Sequence, residues 1–357
     1  MASELIDRPR QVRKGEELEA AKIETFLKGT IPGLDGPVTI LQYPGGHSNL
    51  TYSVRVGGHE LVLRRPPFGT KAKTAHDMHR EYRILKILRP VFPYCPQPLA
   101  YTEDPSIMGC PFYVMEKVRG IIVRKDWPAG LELMPDQVRA LFTNVIRVHA
   151  ELHAIDYQAA GLGDFGKPKG YVRRQVEGWI GRYRNARTPD APDCEEVMGW
   201  FMEHMPAESE RASVIHNDFR LDNCVLDEKD PLRIIGVLDW EMATIGDPLM
   251  DLGSSLAYFI HADDPPEALA MRTCPSNAPG APTRREVIRM YEELSGMKFQ
   301  SPEFYYAFGL FRLAVIVQQI YYRFYHGQTQ DVRFQAMIFG TIALEKAARR
   351  VIEGEGL

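Results

Sequence analysis

Residues 214–226, VIHNDFRLDNCVL, place His216, Asp218 and Asn223 in the pattern HxDxxxxN, flanked by short apolar runs. Polar residues between short apolar runs are typical of a loop. Sixteen residues after Asn223, Asp239 follows the apolar run RIIGVL and opens the triplet DWE. The stretch therefore predicts a polar loop, followed by a small hairpin in which CVL and LRIIGVL flank the turn DEKDP.

These are the residue types that phosphoryl transfer requires. One carboxylate must orient the attacking hydroxyl and accept its proton, while a second carboxylate and an amide oxygen hold Mg²⁺ against the phosphates. Aspartate and asparagine offer the hard oxygen ligands that Mg²⁺ prefers. The alternative interpretation is a polar β-turn in which Asn and Asp serve only as turn formers.

The runs HNDFRLDN and LDWEMATIGDPLMDL resemble the aminoglycoside phosphotransferase/choline kinase superfamily, whose fold is protein-kinase-like. Within it, the sequence is similar to the phosphotransferase module that animals carry fused to acyl-CoA dehydrogenase domains, from PGGHSNLTY at 44–52 to the C-terminal helices. The resemblance implies that Asp218 is the catalytic base, that Asn223 and Asp239 bind Mg²⁺, and that Arg220 contacts the γ-phosphate. Glu241 is similar in position to a second metal-binding acid of some relatives.

Three more polar residues of this region are predicted to be structural. His216 should hold the shape of the polar loop that contains Asp218, called the catalytic loop below, through backbone contacts rather than transfer a proton. Asp247 and Asp251, in GDPLMD, could be further metal ligands. The better interpretation is that an Asp near a helix N-terminus caps free N–H groups, and the resemblance implies that an Asp here ties down the catalytic loop.

The N-terminal part of the sequence has a β pattern. Residues 37–65 contain the strand-like runs VTILQY, LTYSVRV and ELVLRR, and the last two flank a Gly-Gly pair suited to a tight hairpin turn. Residues 74–88 predict a helix, and residues 111–118, PFYVMEKV, predict another strand. We expect residues 1–117 to form an N-terminal, nucleotide-binding lobe.

The remainder has a helical pattern. Apolar residues recur at helical spacing through residues 138–155, and the chain reads as largely helical from residue 248 onward, apart from a Pro-rich loop at 273–282. We expect residues 118–357 to form a C-terminal lobe with the catalytic loop and the substrate site. The predicted fold is α+β and two-lobed, with a β-rich first lobe and a mainly helical second one.

The segment PGGHSN between the first two strands is the predicted phosphate-binding loop. Gly45, Gly46, Ser48 and Asn49 would let backbone amides approach phosphates, because glycine has no Cβ to block them. The segment matches neither the kinase GxGxxG nor a Walker A loop. A plain hairpin turn is the alternative.

Arg64, in the run LVLR, occupies the strand position where protein kinases carry a lysine paired with a glutamate on the next helix. Glu81 lies in an otherwise apolar helical stripe, where a carboxylate is costly to bury unless it is paired. We expect the two to form an ion pair; alternatively, Glu81 reaches water at the edge of the stripe. Arginine keeps the charge of lysine but not its shape, so a direct contact of Arg64 with phosphate stays open. The backbone near Glu116 and Val118 should bond the adenine edge.

Composition and charge limit the classes of partner that we expect and the cellular compartment. The 357 residues carry a net charge of −4, which gives no general attraction to nucleic acid or to an anionic membrane. The five cysteines form no CxxC pair, and the N-terminus lacks the apolar core of a secretory signal. Residues 308–322 are too short and too polar to span a bilayer. We expect a cytoplasmic protein that binds neither nucleic acid nor membrane.

Residues 167–187 carry seven basic residues against the single acid Glu177. This local excess suggests an anionic small-molecule acceptor and disfavours a polycationic aminoglycoside. A solvated basic helix face is the equally open alternative. Tyr171, Trp179 and Tyr183, which alternate with the bases, are predicted to be core residues.

The sequence therefore predicts a Mg²⁺-dependent enzyme that transfers the γ-phosphate of ATP, with GTP not excluded, to a hydroxyl of a small metabolite. One alternative is a nucleotide-binding regulator of the same fold that has lost catalysis, suggested by Arg64 and the reduced glycine loop. Another is a metal-dependent phosphohydrolase built on Asp218, Asp239 and Asp247, which would need more clustered acids and histidines than the sequence offers.

Overall fold

The computed structural model describes residues 9–43, 49–68, 77–207 and 211–357. The chain divides into two compact units, each made of more than one stretch of sequence. Of the described residues, the first unit comprises those within Met1–Ile122, Pro128–Leu131 and Asn223–Ala243, and the second those within Val123–Trp127, Glu132–Asp222 and Thr244–Leu357. The predicted lobe boundary at 117/118 stays a prediction, and the assignment of Asn223–Ala243 to the first unit is a feature that it did not include.

The first unit is built on a five-stranded antiparallel sheet. Its elements in the N-terminal part of the chain are α1 (Ala20–Thr30), β1 (Val38–Gln42), β2 (Leu50–Val56), β3 (His59–Arg65), α2 (Met78–Leu88), β4 (Pro98–Thr102), α3 (Pro105–Met108) and β5 (Phe112–Glu116). The strand order is β1-β2-β3-β5-β4. The predicted Gly-Gly hairpin is confirmed: Val56 pairs with His59, and Gly57 at the turn has φ 55°, a left-handed value that favours glycine.

The core of the first unit lies between this sheet and α1. Ile23 and Leu27 of the helix are fully buried against Tyr52, Val54 and other apolar residues of the sheet. Alternation along the strands sends these side chains to the same face. Removing them from water is the main favourable contribution to the folding of this unit.

Most of the second unit is helical. After β5 come α4 (Pro135–Ala154), α5 (Tyr171–Ala186), α6 (Glu195–Glu203), β6 (Ser213–Ile215), β7 (Cys224–Leu226), β8 (Ile234–Val237), β9 (Thr244–Gly246), α7 (Pro248–Leu256), α8 (Pro266–Ala270), α9 (Arg284–Ser295), α10 (Pro302–Tyr325) and α11 (Met337–Ile352). Of these, β7 and β8 belong to the first unit, where they pair antiparallel, while β6 pairs with β9 in the second. The α+β class is confirmed.

Within the first unit, a short bridge joins the hairpin of β7 and β8 to the chain that follows β5. Ile121 exchanges two backbone hydrogen bonds with Leu226, at 2.9 and 2.8 Å. Gly120 makes this approach possible, because a Cβ there would lie 2.3 Å from the carbonyl oxygen of Leu226. The bridge therefore sets the position of Asn223, which immediately precedes β7.

Helices α7 and α10 of the second unit pack backbone to backbone. A Cβ on Gly253 would lie 2.4 Å from the carbonyl oxygen of Tyr305, and one on Gly309 would lie 2.3 Å from that of Gly253. Most residues of α10 from Phe304 to Val315 are buried, as expected from their apolar character. This close crossing holds α7, which contacts the catalytic loop.

Several elements depart from the sequence-based expectations. The strands predicted within residues 37–65 and 111–118 and the helix around 138–155 are confirmed. The helix predicted over 74–88 begins at Met78, with Asp77 as its N-cap, and ends at Leu88. Residues 74–76 lie outside the described residues. Helices α1 and α3 and the short strands β4, β6 and β9 were not predicted. All five cysteines are free, and among the described residues no helix has both the length and the apolar character needed to cross a membrane.

Candidate active site

The predicted ion pair between Arg64 and Glu81 is present in the first unit. Arg64 Nη1 lies 2.6 Å from Glu81 Oε1, and both side chains are buried. The alternative in which Glu81 reaches water is therefore wrong. Burial by itself would lower the pKa of Arg64, but the neighbouring carboxylates, Glu81 foremost, hold it well above its usual value. Arg64 is thus a permanent, fixed positive charge.

The same guanidinium contacts both candidate metal-binding acids. Arg64 Nη2 lies 2.9 Å from Asp239 Oδ1 and 3.4 Å from Glu241 Oε2. Asn49 Nδ2 donates to Glu241 Oε2 at 2.7 Å, so Glu241 is held from two sides. Two carboxylates from the segment after β8 therefore converge on one cationic nitrogen.

The hairpin of β7 and β8 brings Asn223 next to Asp239. Cys224 pairs with Val237 across the ladder, and the N–H of Leu238 donates to the carbonyl of Asn223 at 2.8 Å. Asn223 and Asp239, sixteen residues apart in sequence, thus flank the same end of the hairpin. Asp239 itself has φ 68°, a left-handed backbone.

These residues fit a magnesium ion. Asn223, Asp239 and Glu241 supply amide and carboxylate oxygens, the hard ligands that Mg²⁺ takes. The convergence of both carboxylates on Arg64 Nη2 indicates that their oxygens already favour a cation. Mg²⁺ usually keeps several waters and needs only one or two protein carboxylates.

In the second unit, Asp251 of α7 holds the backbone of the catalytic loop. Its Oδ2 accepts from the N–H of His216 and its Oδ1 from the N–H of Asn217, both at 2.7 Å. Asn217 has φ 65°, and its side-chain oxygen accepts from the Tyr171 hydroxyl at 3.3 Å. The expectation that an Asp of GDPLMD ties down this loop is confirmed, and the residue is Asp251.

The structural roles predicted for Asp247 and His216 are confirmed. The Asp247 side chain accepts from the N–H of Leu249 at 2.7 Å and so caps α7. His216 is fully buried, and its Nδ1 accepts from the N–H of Asp218 at 3.3 Å. Each of these contacts fixes backbone rather than a reacting atom.

Two buried histidines of α4 complete the surroundings of Asp251. Its Oδ2 lies 3.1 Å from His149 Nε2 and 3.2 Å from His153 Nε2, and His153 Nδ1 lies 2.7 Å from the Tyr291 hydroxyl. These three side chains could hold a metal ion by the spacing of their ligand atoms. Because these side chains already form a hydrogen-bonded network with one another and with Tyr291, we assign them a structural role.

Burial is the largest single influence on the pKa values of His149 and Asp251. It lowers the pKa of His149 to about 4, with a further contribution from His153, so the ring is neutral near pH 7. Burial alone would raise the pKa of Asp251, but the two imidazoles lower it well below its ordinary value. The two backbone donors act in the same direction. Asp251 is therefore an ionised acceptor at neutral pH.

The Asp218 carboxylate has two donors from its own unit. Arg220 Nε lies 3.2 Å from Oδ1 and 3.3 Å from Oδ2, and the Tyr258 hydroxyl donates to Oδ1 at 3.2 Å. Arg220 Nη1 also lies 3.1 Å from Asp222 Oδ2. Burial raises the pKa of Asp222 to about 6. Sequence reasoning did not identify Tyr258, because no periodicity or motif marks a partner forty residues away.

The predicted nucleotide-contacting residues are only partly described. Gly45, Gly46 and Ser48 lie outside the described residues, and the Asn49 side chain is buried on Glu241. The N–H of Glu116 donates to the Gln97 carbonyl at 2.9 Å, and Val118 is half-buried. The roles of these residues toward nucleotide stay predictions.

Much of the basic segment on and before α5 is locally paired. Arg184 Nη2 lies 2.7 Å from Glu195 Oε2, and Arg174 donates to backbone carbonyls of Lys167 and Lys169. The full basic set is Lys167, Lys169, Arg173, Arg174, Arg182, Arg184 and Arg187. Tyr171, Trp179 and Tyr183 are buried, which confirms the prediction that they are core residues.

Comparison with known proteins shows the family of this chain. A model of the phosphotransferase enzyme family matches residues 39–285, more than half of the chain. The chain belongs to the phosphotransferase enzyme family. As a member of that family it is a kinase-type enzyme that transfers phosphoryl groups, and the predicted two-lobed protein-kinase-like fold is confirmed.

Curated relatives of this phosphotransferase include longer proteins. It is 37% identical over 329 residues to acyl-CoA dehydrogenase family member 10 of Mus musculus, covering 91% of this chain and 30% of that protein. It is 33% identical over 328 residues to acyl-CoA dehydrogenase family member 11 of Homo sapiens, covering 90% of this chain and 41% of the relative. The chain thus spans less than half the length of these relatives.

Solved structures of phosphotransferases have the same fold. A putative aminoglycoside phosphotransferase from Ralstonia eutropha superposes with a TM-score of 0.79 at 29% identity, over 95% of this chain and all of that one. A macrolide 2'-phosphotransferase type I gives a TM-score of 0.59 at 16% identity, over 92% and 97% of the two chains, which bears on fold alone.

Proposed function

We propose that this phosphotransferase moves the γ-phosphate of ATP to a hydroxyl of a small-molecule metabolite in a Mg²⁺-dependent reaction. The observation that supports this most is the placement of Asn223 beside Asp239 at one end of the β7–β8 hairpin, with the Arg64–Glu81 ion pair in contact with Asp239. Asp218 precedes Asn223 by five residues in the chain. These are the parts that phosphoryl transfer needs.

Each residue then has a defined task. Asp218 orients the acceptor hydroxyl and takes its proton, and Arg220 contacts the γ-phosphate. Asn223, Asp239 and Glu241 would hold Mg²⁺, which neutralises charge on the phosphates when it is bound. Arg64, fixed by Glu81, supplies a positive charge that needs no rearrangement to act. Asn49, the last residue of the segment PGGHSN, holds Glu241 through a side-chain hydrogen bond.

The acceptor is proposed to be a hydroxylated metabolite, with an anionic one favoured by the basic residues of α5. Several of these bases are exposed and would attract an anion despite their local pairs. A cytoplasmic location is part of the same proposal, consistent with five free cysteines.

The proposal is tested with Asp218→Ala. We expect turnover to be abolished, because the base is lost, while nucleotide binding measured by calorimetry is largely retained. Asp263→Ala, at an exposed aspartate outside the site, is the matched control and should keep wild-type values. The assay is nucleotide consumption with ATP and with GTP, against a panel of anionic and neutral hydroxylated metabolites and an aminoglycoside. Full activity of Asp218→Ala would exclude the proposed base; binding without turnover of any acceptor would favour the regulatory alternative.

A further inference from the structure

Asp218 receives a hydrogen bond from outside the catalytic loop. The Tyr258 hydroxyl, just beyond α7, donates to Asp218 Oδ1 at 3.2 Å. Burial, followed by the charge of Asp218, raises the pKa of Tyr258 above its ordinary value, so the hydroxyl keeps its proton and remains a donor.

We propose that Tyr258 is a positioning residue for phosphoryl transfer, which holds the Asp218 carboxylate in the orientation that faces the acceptor hydroxyl. This inference rests on the proposed function of Asp218. An aspartate carboxylate turns broadly about its terminal torsion when nothing holds it. Donors on the carboxylate restrict that rotation, and catalysis is sensitive to small errors in orientation.

The ring of Tyr258 has a second task. The guanidinium carbon of Arg220 lies 4.8 Å from the centroid of this ring, a cation–π distance. Arg220 in turn contacts Asp218 at 3.2 Å and Asp222 at 3.1 Å. Tyr258 therefore holds the base directly through its hydroxyl and indirectly through the arginine.

The backbone at Tyr258 is itself held by Ser276. The Ser276 hydroxyl lies 3.4 Å from the Tyr258 carbonyl and 2.9 Å from the Ile260 carbonyl, and it accepts from the N–H of Ile260 at 3.0 Å. Asp251, which holds the loop backbone, lies seven residues before Tyr258, about two helical turns away. One short stretch of chain thus fixes both the backbone of the catalytic loop and its carboxylate.

Tyr258→Phe isolates the hydroxyl, because it keeps the ring under Arg220. With MgATP and water as acceptor, we expect kcat for ADP release to fall about tenfold while KM for ATP changes less than about twofold. The matched control is Tyr321→Phe, which removes an equivalent tyrosine hydroxyl that donates to Asp190 Oδ2 at 2.6 Å. The control should leave both constants unchanged. Unchanged kcat in Tyr258→Phe, or an equal change in the control, would overturn the proposal.

A second measurement does not depend on turnover. In a thermal-melting cycle without nucleotide, Tyr258→Phe should lower Tm in the wild-type background and have no effect in the Asp218→Ala background, because the partner is gone. Equal effects in both backgrounds would refute the contact. Full ATP turnover of Asp218→Ala would instead refute the proposed base and leave this contact standing, so the two failures are distinguishable.

Discussion

Asp251 shows how a single buried residue can determine the shape of the catalytic loop. It is fully buried and accepts two backbone N–H groups while lying against two imidazoles. A buried carboxylate is tolerated only when its oxygens are satisfied in this way. The loop geometry therefore depends on the ionisation state of a closed network.

The pH dependence of stability follows from His149. Its folded pKa of about 4 lies below the ordinary value of 6.5. Between these two pH values the ring is therefore protonated in the unfolded chain and neutral in the folded chain. Stability contributed by this group is complete above pH 6.5 and is lost as the pH falls toward 4. At pH 5 the loss is about 2 kcal/mol relative to pH 7.5.

We expect His149→Gln to reduce this slope, measured as the difference in unfolding free energy between pH 7.5 and 5. His59→Gln, at an exposed histidine of β3, is the control and should keep the wild-type slope. An unchanged slope in His149→Gln would contradict the assignment of a neutral, buried ring.

At the scale of single residues, the sequence could predict a contact where a buried charge requires a partner of opposite charge. A carboxylate in an apolar stripe requires a counter-charge, so Arg64 and Glu81 could be paired without coordinates. No such demand marks Tyr258, since a tyrosine near the end of a helix is ordinary. Its contact with Asp218 depends on tertiary packing alone.

At the scale of elements, the crossing of α7 and α10 leaves no room for a side chain at its two glycines. Gly309→Ala would place a Cβ 2.3 Å from the Gly253 carbonyl oxygen, and the two helices would have to separate. Overpacking of this kind costs about 1–3 kcal/mol, which exceeds the gain in helix propensity of about 1 kcal/mol. We expect a lower unfolding free energy and reduced turnover, because α7 carries Asp251.

The matched control is Gly199→Ala in α6, where no atom lies within 4 Å of the added Cβ. It should stabilise the protein by about 0.5–1 kcal/mol, measured by denaturant unfolding. A stabilising effect of Gly309→Ala would show that the crossing is not tight.

The longer elements were predictable, and the shortest were not. β2, β3 and α4 carry enough residues for alternation or helical spacing to be visible. β6 and β9 have three residues each, too few to show a period, and their pairing joins residues 29 to 33 positions apart. The same limit explains why the assignment of Asn223–Ala243 to the first unit was not foreseen: it is set by long-range contacts.

At the scale of the whole molecule, nucleotide and metal should stabilise the fold through mass action. A ligand at a hundred times its Kd adds about 2.7 kcal/mol of stability. We expect MgATP to raise Tm by several degrees more than ATP with a chelator, and Asp239→Asn to abolish that metal-dependent increment.

Asp263→Asn makes the same change at an exposed aspartate and should retain the increment. If Asp239→Asn responds to Mg²⁺ as the wild type does, Asp239 is not the ligand. Because the chain covers 30% to 41% of the two curated relatives, the same measurement on longer relatives would show whether the module behaves alike within them.

Asn217 and Asp239 both keep a left-handed backbone without being glycine. That conformation costs most residues about 1–2 kcal/mol, and asparagine and aspartate tolerate it best. Substitution is therefore restricted at both positions: at position 217, glycine, asparagine or aspartate would adopt the backbone conformation at little cost, whereas a valine or isoleucine would strain the turn. At position 239, the proposed need for a carboxylate leaves aspartate as the residue that meets both demands, which is a narrower choice than its partial exposure to water suggests.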